Sequence, residues 1–250
     1  MFAEKFDSQS IDRYRTDGYF VVRKLLNEQE VQQICERITY IVDNESNVPA
    51  SVIRYEEAVK RGELQVQEKE LGVRKLHGVA MHDPFFRQLA FHPRLLEIAR
   101  ALIGSEIALM QSMTLMKPPR VSTPKVWHQD NAYFLRTPCD LFGFWIACDR
   151  ATVENGCMHL VPGSHLQGIV VHAGAGDEFG IVETPSPDSV VAIPLDPGDA
   201  LIFHGQLFHY TPANQTELRR RAVQYHYVSR NTNRLNRPTP FDLQPELVIE

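Results

Sequence analysis

The sequence predicts a mainly β protein: an antiparallel sandwich or barrel led by a helical segment. Three observations carry this. Short β-rich runs at 107–116, 125–134, 141–148, 157–161, 190–195, 200–204 and 220–228 fill the second part of the chain. Turn signals punctuate them, at Pro118-Pro119, Asn155-Gly156, Pro162-Gly163 and Pro197-Gly198. The first third carries helix-start and helix-stop signals instead. Many short strands joined by Gly/Pro turns bury their apolar faces by packing sheet on sheet or by closing into a barrel.

The elements follow in order. Residues 12–17 read as a helix stopped by Gly18, where a left-handed residue ends the hydrogen-bond ladder. Tyr19-Phe20-Val21-Val22 is a strand. Asn27 with Glu30 forms a capping box, and Val31, Ile34, Cys35, Ile38, Ile41 and Val42 follow at helical spacing. Residues 45–72 have interleaved charges and no period, so a mobile, partly helical segment is expected. Asp83-Pro84 and His92-Pro93 each pair an N-cap with proline at the first helical position, and the second of these helices stops at Gly104. Asn155-Gly156 between two apolar runs predicts a hairpin. The region 172–188, rich in Gly, Pro and acids, is expected to act with 45–72 as lids over a pocket. The tail from Asn231 is polar and predicts an extended surface segment. The expected organisation is one domain: a helical part over about 1–106, a β core over about 107–230 and the tail 231–250.

Bulk properties restrict the function. A net charge of −5 gives no electrostatic reason to expect nucleic acid or an anionic membrane as partner. No stretch approaches the roughly 20 apolar residues that span a bilayer, and the N-terminus has no signal-peptide core. Cys35, Cys139, Cys148 and Cys157 fit no zinc spacing, so free thiols in a reducing cytoplasm are expected. The expected partner is a small-molecule substrate, and the expected assembly a monomer or homo-dimer.

His128-Gln129-Asp130 is the segment with chemical content. With ten histidines and 31 acidic residues, chance supplies about one His-x-Asp/Glu triplet, so its surroundings must carry the case. On a strand, His128 and Asp130 share one face, and Trp127 and Gln129 the other. A second histidine would complete a two-imidazole, one-carboxylate set. That set suits non-haem Fe(II) and leaves coordination positions open. Both His204 and His209 are placed to supply it, the latter 81 residues after His128. On a strand after Arg219-Arg220-Arg221, Arg220 shares a face with Ala222 and Gln224. An arginine turned inward needs an anionic partner, and a carboxylate bound in a bidentate fork is the natural one.

Taken together, IDRYRTDGYFVVRKLL, VRKLHG, TPKVWHQDNAYF, FWIACDRATVENGCMHLVPGSH and PGDALIFHGQLFHYTPANQTELRRRA resemble the phytanoyl-CoA dioxygenase family of Fe(II)/2-oxoglutarate oxygenases. Their order and spacing match too. The resemblance implies a double-stranded β-helix (jelly-roll, cupin-like) core with flanking α-helices. It implies Fe(II) on His128, Asp130 and His209, with 2-oxoglutarate and O2 as co-substrates. Arg220, eleven residues past His209, would then clamp the 2-oxoglutarate C5 carboxylate. Lys75, Met113, Trp145 and Thr211 fall where family members contact the co-substrate. His165 reads as structural. Related halogenases lack the carboxylate and bind halide in its place, so Asp130 argues for hydroxylation, with desaturation or ring closure as related outcomes. Arg54, Lys60, Arg61 and Lys69 are mixed with acids and offer no clamp for CoA phosphates, which favours a non-CoA small molecule. Asn131, Tyr133, Phe134 and Gln224 are candidates to face it. A metal-dependent cupin-like isomerase or lyase, or an inactive ligand-binding jelly roll, is the alternative.

Overall fold

The apolar runs of the β-rich part are buried on both faces, and strand parity sorts them into layers. The computed structural model describes residues 6–43, 46–236 and 247–249. An eight-stranded sheet runs in the order Tyr19–Val22, Ala200–His204, Leu141–Ala147, Arg220–Ser229, Ile107–Lys117, Val73–His77, Ile53–Tyr55. Its eighth strand, Leu247–Ile249, pairs with Ile107–Leu109. A four-stranded sheet runs Val191–Ile193, Met158–Leu160, His209–Thr211, Lys125–His128. The pairings within both sheets are antiparallel.

Successive side chains of a strand point to opposite faces. Phe142, Phe144, Ile146, Tyr225 and Tyr227 therefore face one way and pack with Ile34, Ile38, Leu95 and Ile98 of the helices. Trp145, Ala147, Leu201, Phe203 and Ala222 face the other way and pack with Met158, Leu160 and Ile193 of the smaller sheet. The layers are thus helices, large sheet, small sheet, which is the jelly roll expected of the sequence. Tyr225 and Tyr227 also donate to the Phe86 and Ala90 carbonyls at 2.8 and 2.6 Å, tying the short helix Pro84–Ala90 to the sheet.

The helix signals stand. Ser8–Asp17 ends at Gly18 with φ 83°. Glu28–Val42 starts with the reciprocal Asn27/Glu30 box. Asp83 and His92 cap Pro84–Ala90 and Pro93–Ile103. All four cysteines are free thiols. Among the described residues, no helix is long and apolar enough to cross a membrane.

Four expectations need correction. The first third is not helical with a single strand: Ile53–Tyr55 and Val73–His77 extend the large sheet. Their cavity-side residues are polar or charged, so no apolar alternation marks them. Within 45–72 only Ile53–Tyr55 joins the sheet edge; Glu57–Lys60 and the 3-10 turns Ala50–Val52 and Lys69–Gly72 agree with the partly helical segment expected, and 44–45 lie outside the described residues. Asn155-Gly156 does not make a hairpin. Leu141–Ala147 lies in the large sheet and Met158–Leu160 in the small one, so the turn carries the chain between sheets. The strand at 125–134 stops at His128, and Asn131–Phe134 is a helical turn. Finally, the tail is not wholly a surface segment. Asn233–Arg234 pairs with Arg136–Thr137, and Ile249, 4% exposed, enters the main core. Residues 237–246 and 250 lie outside the described ones.

Candidate metal centre

His128 is the last residue of its strand and lies directly opposite His209 on the neighbouring strand. Cross-strand partners project to the same face, and the two imidazole centroids are 4.1 Å apart. Each ring is fixed in the same way. Nδ1 of His128 meets the Val126 carbonyl at 2.8 Å, and Nδ1 of His209 meets the Leu207 carbonyl at 2.9 Å. A carbonyl only accepts, so Nδ1 donates in both rings and the lone pair of each is on Nε2.

Asp130 reaches these lone pairs by a route that strand alternation does not supply. Its backbone is helical (φ −61°, ψ −37°) because the chain turns after His128. Its Oδ1 lies 3.6 Å from Nε2 of both His128 and His209. Its Oδ2 accepts from His226 Nε2 at 2.8 Å. The three candidate donors all lie within 4.8 Å of one another and are buried. Gln129, between the two ligands, works on the other side. Its side chain bonds the backbone of Gly168, Val170 and Gln206 and so pins the following loops against the site.

Electrostatics suit a cation. Burial, then His209 and Lys125, hold the His128 imidazole well below its ordinary value. Burial likewise lowers His209. Burial acts to raise the Asp130 carboxyl, but His226, His209 and His128 outweigh it and leave the group below the usual carboxylate value. At neutral pH the set is two neutral imidazoles and one carboxylate, the protonation states a divalent metal requires.

A cavity of about 590 Å³ opens on this cluster. Lys75, Met113, Thr211 and Arg220 line it with the three donors. Arg220 is 1% exposed, yet no carboxylate lies within ion-pair distance of it among the described residues. It donates to the Leu115 and Gly156 carbonyls at 3.3 and 3.1 Å, and its Nε has no partner. Burial pushes its pKa down to about 10. Trp145 does not line the cavity. Its ring backs the guanidinium, 5.1 Å from Arg220 Cζ to the centroid, where a cation–π contact positions the arginine. Tyr133, Phe134 and Gln224 line the cavity, whereas Asn131 turns away to bind the Arg136 backbone. His204 also turns away, against the rings of Tyr14 and His165. His165 is held by the Arg15 carbonyl at 3.1 Å, a structural role.

Two site residues escaped the sequence reading. His226 would have appeared had the Arg220, Ala222, Gln224 alternation been carried one step further. Lys117 ends a strand whose Gln111, Met113 and Leu115 also line the cavity at period two.

A family model for phytanoyl-CoA dioxygenase (PhyH) matches residues 14–222. The chain belongs to this family. A phytanoyl-CoA dioxygenase domain-containing protein 1 homolog of Caenorhabditis elegans is 28% identical, over 89% of this chain and 91% of its own. The phytanoyl-CoA dioxygenase of Arabidopsis thaliana is 27% identical, over 87% of each chain. Among solved structures, the epimerase SnoN in complex with Fe3+, alpha ketoglutarate and nogalamycin RO is 26% identical with a TM-score of 0.70. The match covers 93% of this chain and 86% of that one. EvdO2 from Micromonospora carbonacea is 26% identical with a TM-score of 0.71, over 96% and 98%.

Proposed function

We propose that the protein is an Fe(II)- and 2-oxoglutarate-dependent dioxygenase that hydroxylates an unactivated C–H bond of a small organic molecule, with release of succinate and CO2. The observation that carries this is one cavity lined both by the His128, Asp130, His209 cluster and by a buried Arg220 that has no acidic partner among the described residues. The donor chemistry fits iron: two imidazoles with free Nε2 lone pairs and one carboxylate leave positions open for a chelating co-substrate. The orphaned Arg220 Nε fits a distal carboxylate. The family relatives, and a neighbour solved with Fe3+ and alpha ketoglutarate, support the same reading.

His128, Asp130 and His209 would hold the metal, and bound there with 2-oxoglutarate it supplies the oxidant made from O2. The rest is the work of this chain. The Val126 and Leu207 carbonyls aim the two imidazoles, and His226 fixes the second oxygen of Asp130 so that the first faces them. Arg220 on the large sheet, with Lys75 and Met113 on neighbouring strands, and Thr211 on the small sheet line the space in which the co-substrate is oriented. Tyr133 and Phe134 exclude water beside the cluster. In the 45–72 region, Lys60 and Arg61 are paired with Glu57 and Glu63, which supports a substrate without CoA phosphates.

Anaerobic addition of Fe(II) and 2-oxoglutarate should produce a visible charge-transfer absorption that is lost in His128→Ala and weakened in Arg220→Ala. A folded, metal-loaded protein without that absorption would refute the oxygenase reading in favour of a cupin-like isomerase or lyase. The likeness to an epimerase supports a second outcome, inversion of a carbon centre, in which the hydrogen removed from one face is replaced on the other by a hydrogen atom from an added reductant. Product analysis after a screen for substrate-stimulated succinate release separates the two, since only hydroxylation adds an oxygen atom.

A further inference from the structure

Lys117 lines the cavity beside Arg220 and has no part in the function proposed for it. It is 5% exposed, an uncommon state for a lysine. It lies directly opposite Arg220 in the strand register, so both cations project to the same face of the large sheet. They also converge on one point. Arg220 Nη2 donates to the Gly156 carbonyl, and a Cβ added at Gly156 would come within 2.6 Å of Lys117 Cδ. The glycine there leaves room for the lysine stem.

Two adjacent buried cations repel and are costly unless something anionic compensates them. Among the described residues, no carboxylate forms an ion pair with either of them. The Lys117 ammonium donates to the Thr123 carbonyl at 2.9 Å, and no carboxylate lies within ion-pair distance of it among the described residues. The nearby acid is Glu56: its Oε2 is engaged by Arg74 at 3.2 Å and by the Thr123 hydroxyl at 2.9 Å, and its buried Oε1 forms no hydrogen bond, to Lys117 or to any other described group. Burial, Arg220 and Arg74 all disfavour the charged amine in the absence of an anion, while Glu56 opposes them. Three cations face one carboxylate in this corner of the cavity.

We propose that Lys117 is a second cation of the distal-carboxylate site: with Arg220 it forms a paired-cation pocket that selects a dicarboxylate 2-oxo acid over a monocarboxylate one. This rests on the function proposed above and extends it. One carboxylate set between the two groups would accept from the guanidinium and the ammonium at once, using donors that the protein leaves unused.

The test is a binding cycle followed by calorimetry on Mn(II)-loaded protein without turnover. The ligands are 2-oxoglutarate and 2-oxopentanoate, which has a methyl group in place of the distal carboxylate. The variants are Lys117→Met, which keeps the stem and removes the charge, and Lys117→Gln, each checked for wild-type circular dichroism. Wild type should prefer 2-oxoglutarate strongly. Both variants should weaken 2-oxoglutarate about tenfold or more, the size of a lost charged hydrogen bond, and leave 2-oxopentanoate within about twofold. An unchanged preference in the variants, or equal weakening of both ligands, overturns the role of Lys117. A wild type that binds neither ligand, or does not discriminate between them, instead overturns the co-substrate assignment itself.

Discussion

At the scale of single residues, the three candidate metal donors are held in place by fixed hydrogen-bond partners. His128 and His209 commit Nδ1 to a carbonyl two residues back, and Asp130 divides its oxygens between His226 and the two Nε2 atoms. His204, five residues before His209, shows the contrasting case. It packs among rings, and burial first, then His165, depress its pKa to about 4. Below its ordinary value near 6.5 the unfolded chain takes up this proton and the native one does not, so stability should fall as pH drops from about 6.5 to about 4 and level off beneath that. Replacing it in His204→Asn removes that dependence. Urea midpoints at pH 7, 5.5 and 4.5 should decline less steeply in the variant than in wild type. Of these two histidines, only His209 was assigned to the site in the sequence, and that came from its family spacing. Local chemistry alone left them equal, because both sit beside aromatic residues.

At the scale of elements, caps and turns decide where the site's strands begin and end. Asp83 is 1% exposed; its Oδ1 accepts from the Phe85 and Phe86 amides, while its Oδ2 accepts from Arg37 at 2.9 and 2.5 Å. It therefore joins the start of Pro84–Ala90 to the long helix Glu28–Val42. Asp83→Ala should cost about 2–3 kcal/mol, and Asp83→Asn less because the amide oxygen still caps. Equilibrium denaturation of both variants measures the difference. These caps were legible in the sequence because their partners are two or three residues away. The Asn155-Gly156 turn shows where such reasoning stops. The dipeptide does mark a turn, with Gly156 at φ 93° and Asn155 bonded to Thr152 and Arg150. Which sheet the next strand joins depends on partners far along the chain: Met158–Leu160 pairs with 191–193 and 209–210, not with 141–147.

At the scale of the whole molecule, the helical layer and the two sheets leave one large cavity whose wall is unlike the chain's average. Arg54, Arg74, Lys75, Lys117, Lys125 and Arg220 all line it, although the net charge of the protein is −5. A cavity that gathers cations beside a metal-competent cluster should gain stability from binding. With metal and 2-oxoglutarate each at about a hundredfold excess over Kd, one binding event adds about 2.7 kcal/mol. For a chain of this size that is a rise in melting temperature of about 5–10 °C. A thermal scan should show the largest rise with both together, and none from the metal in His128→Ala. A rise with 2-oxoglutarate alone, equal to that with both, would count against a metal-anchored co-substrate.

Features with local causes are legible in the sequence alone. These are the capped helices, the apolar strands buried on two faces, the paired parity of Arg220 and Gln224, and the family motifs. Each depends on residues two to four apart or on a spacing that can be counted. Tertiary structure decided what strand pairing and packing bring together. Asp130 reaches the cluster through a turn, where an unbroken strand was expected, and His226 holds it from 96 residues away. Trp145 stands behind Arg220, where a place beside the co-substrate was expected, and Lys117 meets Arg220 across the strand register. Strand alternation tells which face His226 and Lys117 take, but not which distant residue each meets there. These contacts exist because two sheets with particular registers face one another, and a register shifted by one residue would turn His226, Trp145 or Lys117 to the other face.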